Sequence, residues 1–232
     1  MNVQGFRQQL ADGVALGAIL FDLDGTLIDS APDLAGTVNE MRLERGLPEL
    51  PYPGLRAMVG AGARGMLAAG FSIGPDDEAF ETMRAEFLAR YEARMLRLTG
   101  IFPGIEALLG TFERRGLPWG IVTNKAERFA LPVTAGLGLL QRASAVIGGD
   151  TTAHAKPHPA PLLEAARRIG TDPRHCIYVG DDERDIQAGR AAGMRTVAAA
   201  WGYLGAGPAV ADWGADIVID APEQLLKWLR LA

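Results

Sequence analysis

Two aspartates, Asp22 and Asp24, directly follow the apolar run Ala18–Phe21 and precede a Gly-Thr pair. Such a run before a turn is typical of a buried strand, and open α/β sheets place their chemistry at the carboxyl ends of strands. Alternate residues of an extended segment face the same side, so both carboxylates point into one crevice. Two like charges there are costly unless a cation offsets them, and carboxylate oxygens suit Mg²⁺. A solvated turn explains Asp24 and Gly25 but not an acid that ends an apolar strand.

Two later segments carry groups that can bind phosphate oxygens. The apolar run Trp119–Val122 ends in Thr123 and Asn124, whose polar groups and neighbouring N–H groups can hold a phosphoryl oxygen without adding charge. An ordinary N-cap at the start of a helix is the alternative for this pair. Lys156 precedes Pro157 and offers a compact positive charge that suits a phosphoryl group beside a carboxylate.

A further apolar run ends in a Gly-Asp pair at Asp181, and Asp185 follows four residues later. A helix that begins near Asp182 would point Asp181 and Asp185 into the same crevice. The helix dipole favours acids at a helix N-terminus, which accounts for Asp182 but poorly for Asp181. The sequence leaves open whether Asp182 replaces Asp181 as a metal ligand.

The order of these segments resembles the haloacid dehalogenase-like hydrolase superfamily. Asp-x-Asp-Gly-Thr begins at Asp22, a strand ends at Thr123, Lys156 precedes a proline, and Gly-Asp ends a later strand at Asp181. The resemblance extends from residue 18 to the C-terminus. It implies a phosphoric monoester hydrolase with a helical cap inserted after the first strand of the core.

The pattern of elements is typical of a doubly wound, Rossmann-like α/β core. Predicted helices and strands alternate beyond residue 99, which favours a parallel sheet with helices on both faces. The predicted strands cover residues 118–122, 144–147, 176–179, 196–200 and 216–219, and the predicted helices cover residues 105–115, 127–136, 161–169, 185–192 and 222–229.

The segment between the first strand and residue 99 contains predicted helices alone. A long helix is expected to open at residues 75–78, with an apolar stripe that most simply forms the core of this helical module: Phe80, Met83, Phe87, Tyr91 and Met95. The sequence therefore predicts an N-terminal extension (residues 1–17), a catalytic core (18–32 and 99–232) and a helical cap (33–98).

The residue types support a two-step hydrolysis of a phosphate monoester. Asp22 is expected to attack phosphorus and form an aspartyl phosphate. Asp24 is expected to protonate the leaving oxygen and later to take a proton from water. Mg²⁺ would be held by Asp22, the Asp24 backbone carbonyl and Asp181, and Asp185 would orient its waters as an outer-sphere residue.

The phosphoryl group itself needs positive or neutral donors. Thr123, Asn124 and Lys156 are expected to bind its oxygens and stabilise the charge that develops there.

Other chemistries of the same scaffold fit less well. Dehalogenases of the superfamily use no metal and lack the second acid, Asp24. Mutases of the superfamily typically use a histidine of the cap, whereas His154, His158 and His175 all lie outside it. A non-catalytic regulator that binds a phosphate ligand would be expected to lose the nucleophile or an acidic ligand.

The cap is expected to select the substrate. Every cation between residues 30 and 100 is an arginine, and the glycine-rich stretch 60–66 contains Gly62 and Arg64. Arginine pairs with a carboxylate through two hydrogen bonds, so Arg64 predicts a carboxylated phosphate ester, although a solvated helix face is its alternative. The motif at Asp22 with residues 29–33, the glycine-rich cap segment and residues 180–182 resembles phosphoglycolate phosphatases. The cap segment together with residues 119–125 and 201–203 resembles N-acetylmuramic acid 6-phosphate phosphatases more closely.

Composition narrows the partners to a small molecule. The chain of 232 residues has a formal net charge of −5, which argues against a nucleic-acid partner. Its single cysteine, Cys176, allows no disulfide framework and fits a reducing cytoplasm. The apolar run at residues 14–21 is too short to span a bilayer, so no membrane partner is expected. Oligomeric state is not predicted.

Overall fold

The computed structural model describes residues 8–9, 15–205 and 207–231. In chain order the elements are β1 (Gln8–Gln9), β2 (Ala15–Leu16), β3 (Ala18–Phe21), β4 (Ile28–Asp29), α1 (Ala31–Glu44), α2 (Tyr52–Arg56), α3 (Gly62–Phe71), α4 (Phe80–Arg94), β5 (Gly100–Ile101), α5 (Ile105–Arg114), β6 (Trp119–Val122), α6 (Glu127–Gly136), β7 (Ala145–Ile147), α7 (Ala160–Ile169), β8 (Cys176–Gly180), α8 (Glu183–Ala191), β9 (Arg195–Ala199), β10 (Ile217–Ile219) and α9 (Pro222–Trp228).

Six strands form one parallel sheet in the order β10-β9-β8-β3-β6-β7, which confirms the predicted α/β class. β3 lies at its centre, and every residue of β3, β6 and β8 is buried because helices cover both faces. The chain proceeds to one side of β3 through β6 and to the other side through β8. This reversal opens a crevice at the carboxyl end of β3, where α/β proteins bind ligands.

Part of the predicted N-terminal extension packs against the core. Residues 1–7 and 10–14 lie outside the described residues, but β1 pairs with β2, and Leu16 is 2 % exposed within the main apolar cluster. The division into extension, core and cap at residues 17, 32 and 98 stays a prediction.

The cap helices α1 to α4 share an apolar cluster that also includes Phe129 and Tyr203 of the core, and it contains the predicted apolar stripe. Two helix bounds differ from expectation. Residues 75–79 form turns because the Asp77 carboxylate accepts a hydrogen bond from the Gly74 N–H, so α4 begins at Phe80. Residues 55–66 of the all-helical segment do not form one continuous helix, because Gly62 has a φ of 62° and a single-turn 3₁₀ helix separates α2 from α3.

The two chain connections between core and cap run side by side. β4 and β5 form an antiparallel pair, and the fully buried Asp33 carboxylate joins the start of α1 to the return connection. Its Oδ2 accepts hydrogen bonds from Leu98 N at 3.0 Å, Thr99 N at 2.9 Å and Thr99 Oγ1 at 2.8 Å. Arg94 Nε lies 3.5 Å from its other oxygen. Asp33 therefore ties both connections together.

Replacing this carboxylate should destabilise the fold. We expect Asp33→Ala to lower the free energy of unfolding by about 3 kcal/mol, because it leaves buried N–H and hydroxyl groups without their acceptor and leaves Arg94 with Glu40 as its carboxylate partner. Urea denaturation measures the change. Asp76→Ala, an exposed aspartate of the cap, is the control and should be neutral. Equal stability of the two variants would contradict the structural role of Asp33.

Candidate active site

A cavity of about 680 Å³ lies between the cap and the carboxyl ends of the central strands. Its core side carries all the residues that the sequence predicted for the chemistry, and its cap side carries both predicted cap residues: Asp22, Asp24, Thr123, Asn124, Lys156, Asp181 and Asp185 from the core, Gly62 and Arg64 from the cap. The structure thus brings together segments that are far apart in the chain. Their catalytic and binding roles stay predictions.

Three buried carboxylates, Asp22, Asp181 and Asp185, form a group that could hold a metal ion. Each offers an oxygen, and these oxygens lie within 4.8 Å of one another. Among the described residues, Lys156 Nζ lies 2.8 Å from the buried Asp22 Oδ1 as an ion-pair partner, and no hydrogen bond of good geometry reaches that oxygen. A buried carboxylate oxygen with spare acceptor capacity and a set of hard oxygen ligands both fit a divalent cation.

Burial and mutual repulsion disfavour the charged state of this group. Burial raises the pKa of Asp22 to about 7, a shift that Lys156 opposes. Burial also raises the pKa of Asp181 well above its usual range, and the charges of Asp22 and Asp185 add to that effect. A cation among the three would offset both causes.

Two glycines shape the backbone around Asp181. A Cβ at Gly202 would lie 2.2 Å from the Asp181 Cβ, and one at Gly25 would lie 2.1 Å from Asp181 Oδ2. Gly25 also has a φ of 88°, which favours glycine. The Asp181 oxygens accept hydrogen bonds from Thr26 Oγ1 and Tyr203 N, both at 2.8 Å. This close packing fixes the carboxylate at the tip of β8.

Lys156 connects the nucleophile candidate to α8. Its Nζ lies 2.8 Å from Asp22 Oδ1 and donates hydrogen bonds to Asp185 Oδ1 at 2.7 Å and to the Tyr178 hydroxyl at 2.8 Å. Although burial lowers it, the pKa of Lys156 is raised overall by Asp185 and Asp22, so the ammonium stays charged. It is placed to neutralise charge at the end of β3.

Asp185 and Asp182 have different surroundings. Asp185 is 1 % exposed, and its Oδ2 accepts from the Asp182 N–H at 3.1 Å. Asp182 caps α8 by accepting from Arg184 N at 2.9 Å and pairs with the Arg184 side chain at 2.7 Å. The Asp182 carboxylate therefore already has partners outside the buried acidic group. Arg184 also donates to the Gly60 carbonyl of the cap, which joins α8 to the glycine-rich cap segment.

Asp24 is held by two residues, Lys125 and Ser30, to which the sequence analysis gave no role. Lys125 Nζ lies 3.0 Å and 3.2 Å from its two oxygens, and Ser30 Oγ donates to Oδ1. Lys125 is the residue after the predicted phosphate-binding pair, and that adjacency was the one available signal. Burial lowers the pKa of Lys125, but Asp24 and Tyr91 together raise it by more, so this lysine is also charged.

The two predicted phosphate-binding residues, Thr123 and Asn124, have different hydrogen-bond partners. Thr123 is 2 % exposed, and its hydroxyl accepts from Lys125 N at 3.1 Å. The Asn124 side chain makes two hydrogen bonds of 2.9 Å with the backbone of Lys156. Asn124 thus holds the loop that carries Lys156, in addition to lining the cavity.

The sequence analysis gave Tyr203 no role beyond its part in the family resemblance. The Tyr203 backbone N–H donates a hydrogen bond to Asp181. The Tyr203 hydroxyl accepts hydrogen bonds from Ser30 N at 2.8 Å and Ala31 N at 3.1 Å, and it lies 3.0 Å from Asp29 Oδ1. Ser30 does not cap α1 with its own side chain. The Tyr203 hydroxyl satisfies those N–H groups instead, so one residue connects the acidic group to the start of the cap.

Comparison with known proteins agrees with this architecture. The family model for haloacid dehalogenase-like hydrolases matches residues 19–199. A protein named phosphoglycolate phosphatase from Xanthomonas campestris pv. campestris is 51% identical over 208 residues, covering 90% of this chain and 94% of that protein. A second protein, named N-acetylmuramic acid 6-phosphate phosphatase, from Pseudomonas aeruginosa, is 42% identical over 217 residues. The match covers 94% of this chain and 96% of that protein.

A solved structure, described as a predicted phosphoglycolate phosphatase from Haemophilus somnus, superimposes with a TM-score of 0.81 at 26% identity and covers 91% of this chain and 97% of its own. The chain belongs to the haloacid dehalogenase-like hydrolase family. The enzyme class predicted from the sequence, a phosphoric monoester hydrolase, is likewise confirmed. Among the described residues, no helix is both long and apolar enough to cross a membrane.

Proposed function

We propose that this protein is a Mg²⁺-dependent phosphatase that hydrolyses a carboxylated phosphate monoester through an aspartyl-phosphate intermediate. One observation carries the proposal. Asp22 follows the central strand, and its buried Oδ1 lies 2.8 Å from the Lys156 ammonium, beside two other buried acids whose oxygens are within 4.8 Å. A carboxylate in that position can attack phosphorus while neighbouring groups neutralise the charge.

In the first step an Asp22 oxygen forms a bond to phosphorus, and the bond from phosphorus to the ester oxygen breaks. Asp24 donates a proton to that leaving oxygen, so the alcohol departs neutral. Ser30 and Lys125 fix the Asp24 carboxylate at the mouth of the same crevice. Lys156 and the Thr123 and Asn124 segment bind the phosphoryl oxygens.

In the second step Asp24 takes a proton from a water molecule, whose oxygen attacks the phosphorus of the intermediate. The bond to Asp22 breaks, and inorganic phosphate leaves with the carboxylate restored. Asp22, Asp181 and the Asp24 backbone carbonyl would hold the metal, with Asp185 behind them. A bound Mg²⁺ supplies positive charge that neutralises phosphoryl oxygens.

The cap side of the cavity supports an acidic substrate of some size. Arg64 and Arg84 of the cap line it, Arg128 of α6 lines the same cavity from the core, and no ion pair joins Arg64 to a carboxylate among the described residues. A volume of about 680 Å³ exceeds what a two-carbon acid requires and suits a sugar. This favours N-acetylmuramic acid 6-phosphate, while the relative at 51% identity supports phosphoglycolate. Cytoplasmic location and the absence of nucleic-acid and membrane partners remain part of the proposal.

A phosphate-release assay with Mg²⁺ tests the proposal directly. We expect turnover of one carboxylated ester, phosphoglycolate or N-acetylmuramic acid 6-phosphate, with kcat/KM about a hundredfold above that of glucose 6-phosphate and pyridoxal phosphate, because a site built to bind a charged group rejects esters that lack it. Equal, slow turnover of all four esters would contradict a carboxylate-selective site. No Mg²⁺-dependent turnover would contradict the phosphatase chemistry and support a non-catalytic binder.

Replacing two cap arginines separately tests whether Arg64 binds the carboxylate of the substrate, with Arg97 as the control. Arg64→Ala should lower that preference, since Arg64 lines the cavity. Arg97→Ala should leave it unchanged, because Arg97 lies outside the cavity lining with an exposed side chain near Glu40. A mutase would instead transfer the phosphoryl group within a sugar phosphate without releasing phosphate.

A further inference from the structure

The hydroxyl of Tyr91 is a buried polar group without a partner. Tyr91 lies on cap helix α4 and is 2 % exposed, yet its hydroxyl makes no hydrogen bond with any described residue. Buried tyrosine hydroxyls are normally hydrogen-bonded, because leaving one unpaired is unfavourable. The same side chain lines the large cavity, so a ligand bound there would lie against it.

The ring of Tyr91 is held rigidly in this position. It stacks on Phe87 with ring centroids 6.5 Å apart and meets the edge of Phe129 at 5.8 Å. The Lys125 ammonium lies 4.7 Å from the ring centroid, over its face. Rotating the hydroxyl toward another protein group would disrupt these contacts. Its direction is therefore set by ring packing and by the neighbouring Lys125 ammonium.

Lys125 places the Tyr91 hydroxyl near the proposed proton donor. The same ammonium contacts both oxygens of Asp24, at 3.0 Å and 3.2 Å. Tyr91 and Asp24 thus share one neighbour, on the cap side and the core side of the cavity respectively. Burial raises the pKa of Tyr91, so its hydroxyl keeps its proton and acts as a donor. The alcohol part of a bound ester would lie between these two residues.

We propose that Tyr91 is a specificity residue whose hydroxyl donates a hydrogen bond to an oxygen atom of the substrate's alcohol part, beside the ester oxygen that Asp24 protonates. This inference rests on the proposed function and adds a substrate requirement to it. The preferred substrate is an ester of an alcohol that carries a further hydroxyl or carboxylate near the phosphate. An ester of a plain hydrocarbon or phenol offers no such acceptor.

Tyr91→Phe provides a test in which activity and stability should change in opposite directions. The variant keeps the ring and its packing but removes the unpaired hydroxyl. For the best carboxylated ester, we expect kcat/KM to fall by about 10- to 100-fold. For phenyl phosphate, which has no oxygen besides those of its phosphate, kcat/KM should stay within about twofold. The melting temperature of the ligand-free variant should equal or exceed that of the wild type, because nothing is lost but an unsatisfied group.

Tyr52→Phe is the matched control, since Tyr52 is a 40 % exposed cap tyrosine outside the cavity lining. It should change neither substrate preference nor melting temperature. Equal losses with both esters, unchanged kcat/KM with both, or a lower melting temperature of ligand-free Tyr91→Phe would each overturn the role of Tyr91. A wild-type enzyme that hydrolyses no ester would overturn the proposed function as well, whereas an active wild type separates the two failures.

Discussion

Asp22→Asn should lower kcat by on the order of 10³-fold or more, because an amide oxygen is a poor nucleophile and cannot form the aspartyl phosphate. The change keeps the shape of the side chain at the end of β3. It also removes one charge from a group of three buried acids, so the variant should unfold at the same or a higher temperature than the wild type. Steady-state phosphate release and a thermal melt measure the two effects.

Asp220→Asn is the matched control for this prediction. Asp220 also follows a strand of the same sheet directly, but β10 lies at the sheet edge and the residue is exposed outside the cavity lining. Its replacement should leave activity unchanged. A second readout follows the intermediate: acid-quenched wild type should carry label from a ³²P-labelled substrate, which hydroxylamine should release. An Asp22→Asn enzyme that turns over normally, or a wild type without such label, would refute covalent catalysis by Asp22.

Local sequence was sufficient to predict the core of this site. Asp22 and Asp181 each end an apolar strand, and parallel strands in one sheet bring their carboxyl ends to one edge. The order of strands in space was not needed for that argument. The six-stranded sheet and the position of the acids within it therefore followed from strand ends and alternation alone.

The residues that support the site were not predictable in the same way. Tyr203 reaches Ser30 across more than 170 positions, and Asp33 reaches Thr99 across more than 60. No periodicity or spacing encodes such pairs. The Lys125 contact with Asp24 is equally remote in sequence. The apolar stripe of α4 predicted burial for Tyr91, but the missing partner of its hydroxyl is visible only once the cavity exists.

Replacing Asp181 by Asn should have an effect nearly as large as replacing Asp22. Burial and two neighbouring carboxylates oppose the charge of Asp181, so the change should stabilise the metal-free protein while removing a metal ligand. For the wild type, Mg²⁺ at a hundredfold excess over Kd should add about 2.7 kcal/mol of stability. For Asp181→Asn, most of that gain should vanish, and Mg²⁺-dependent kcat/KM should fall by on the order of 10²-fold or more.

Asp182→Asn tests whether Asp181 or Asp182 is the metal ligand, which the sequence did not decide. Asn is a good N-cap, so α8 should keep its start while the neighbouring charge is lost. Because Asp182 is paired with Arg184 outside the buried acidic group, its replacement should leave the Mg²⁺-induced rise in melting temperature intact. The reverse result, with the rise lost in Asp182→Asn and kept in Asp181→Asn, would move the metal to Asp182. Loss of activity in Asp182→Asn with an intact Mg²⁺ response would instead show that Asp182 acts through Arg184. The hydrogen bond from Arg184 to the Gly60 carbonyl, which positions the cap over the same cavity, would then be required for activity.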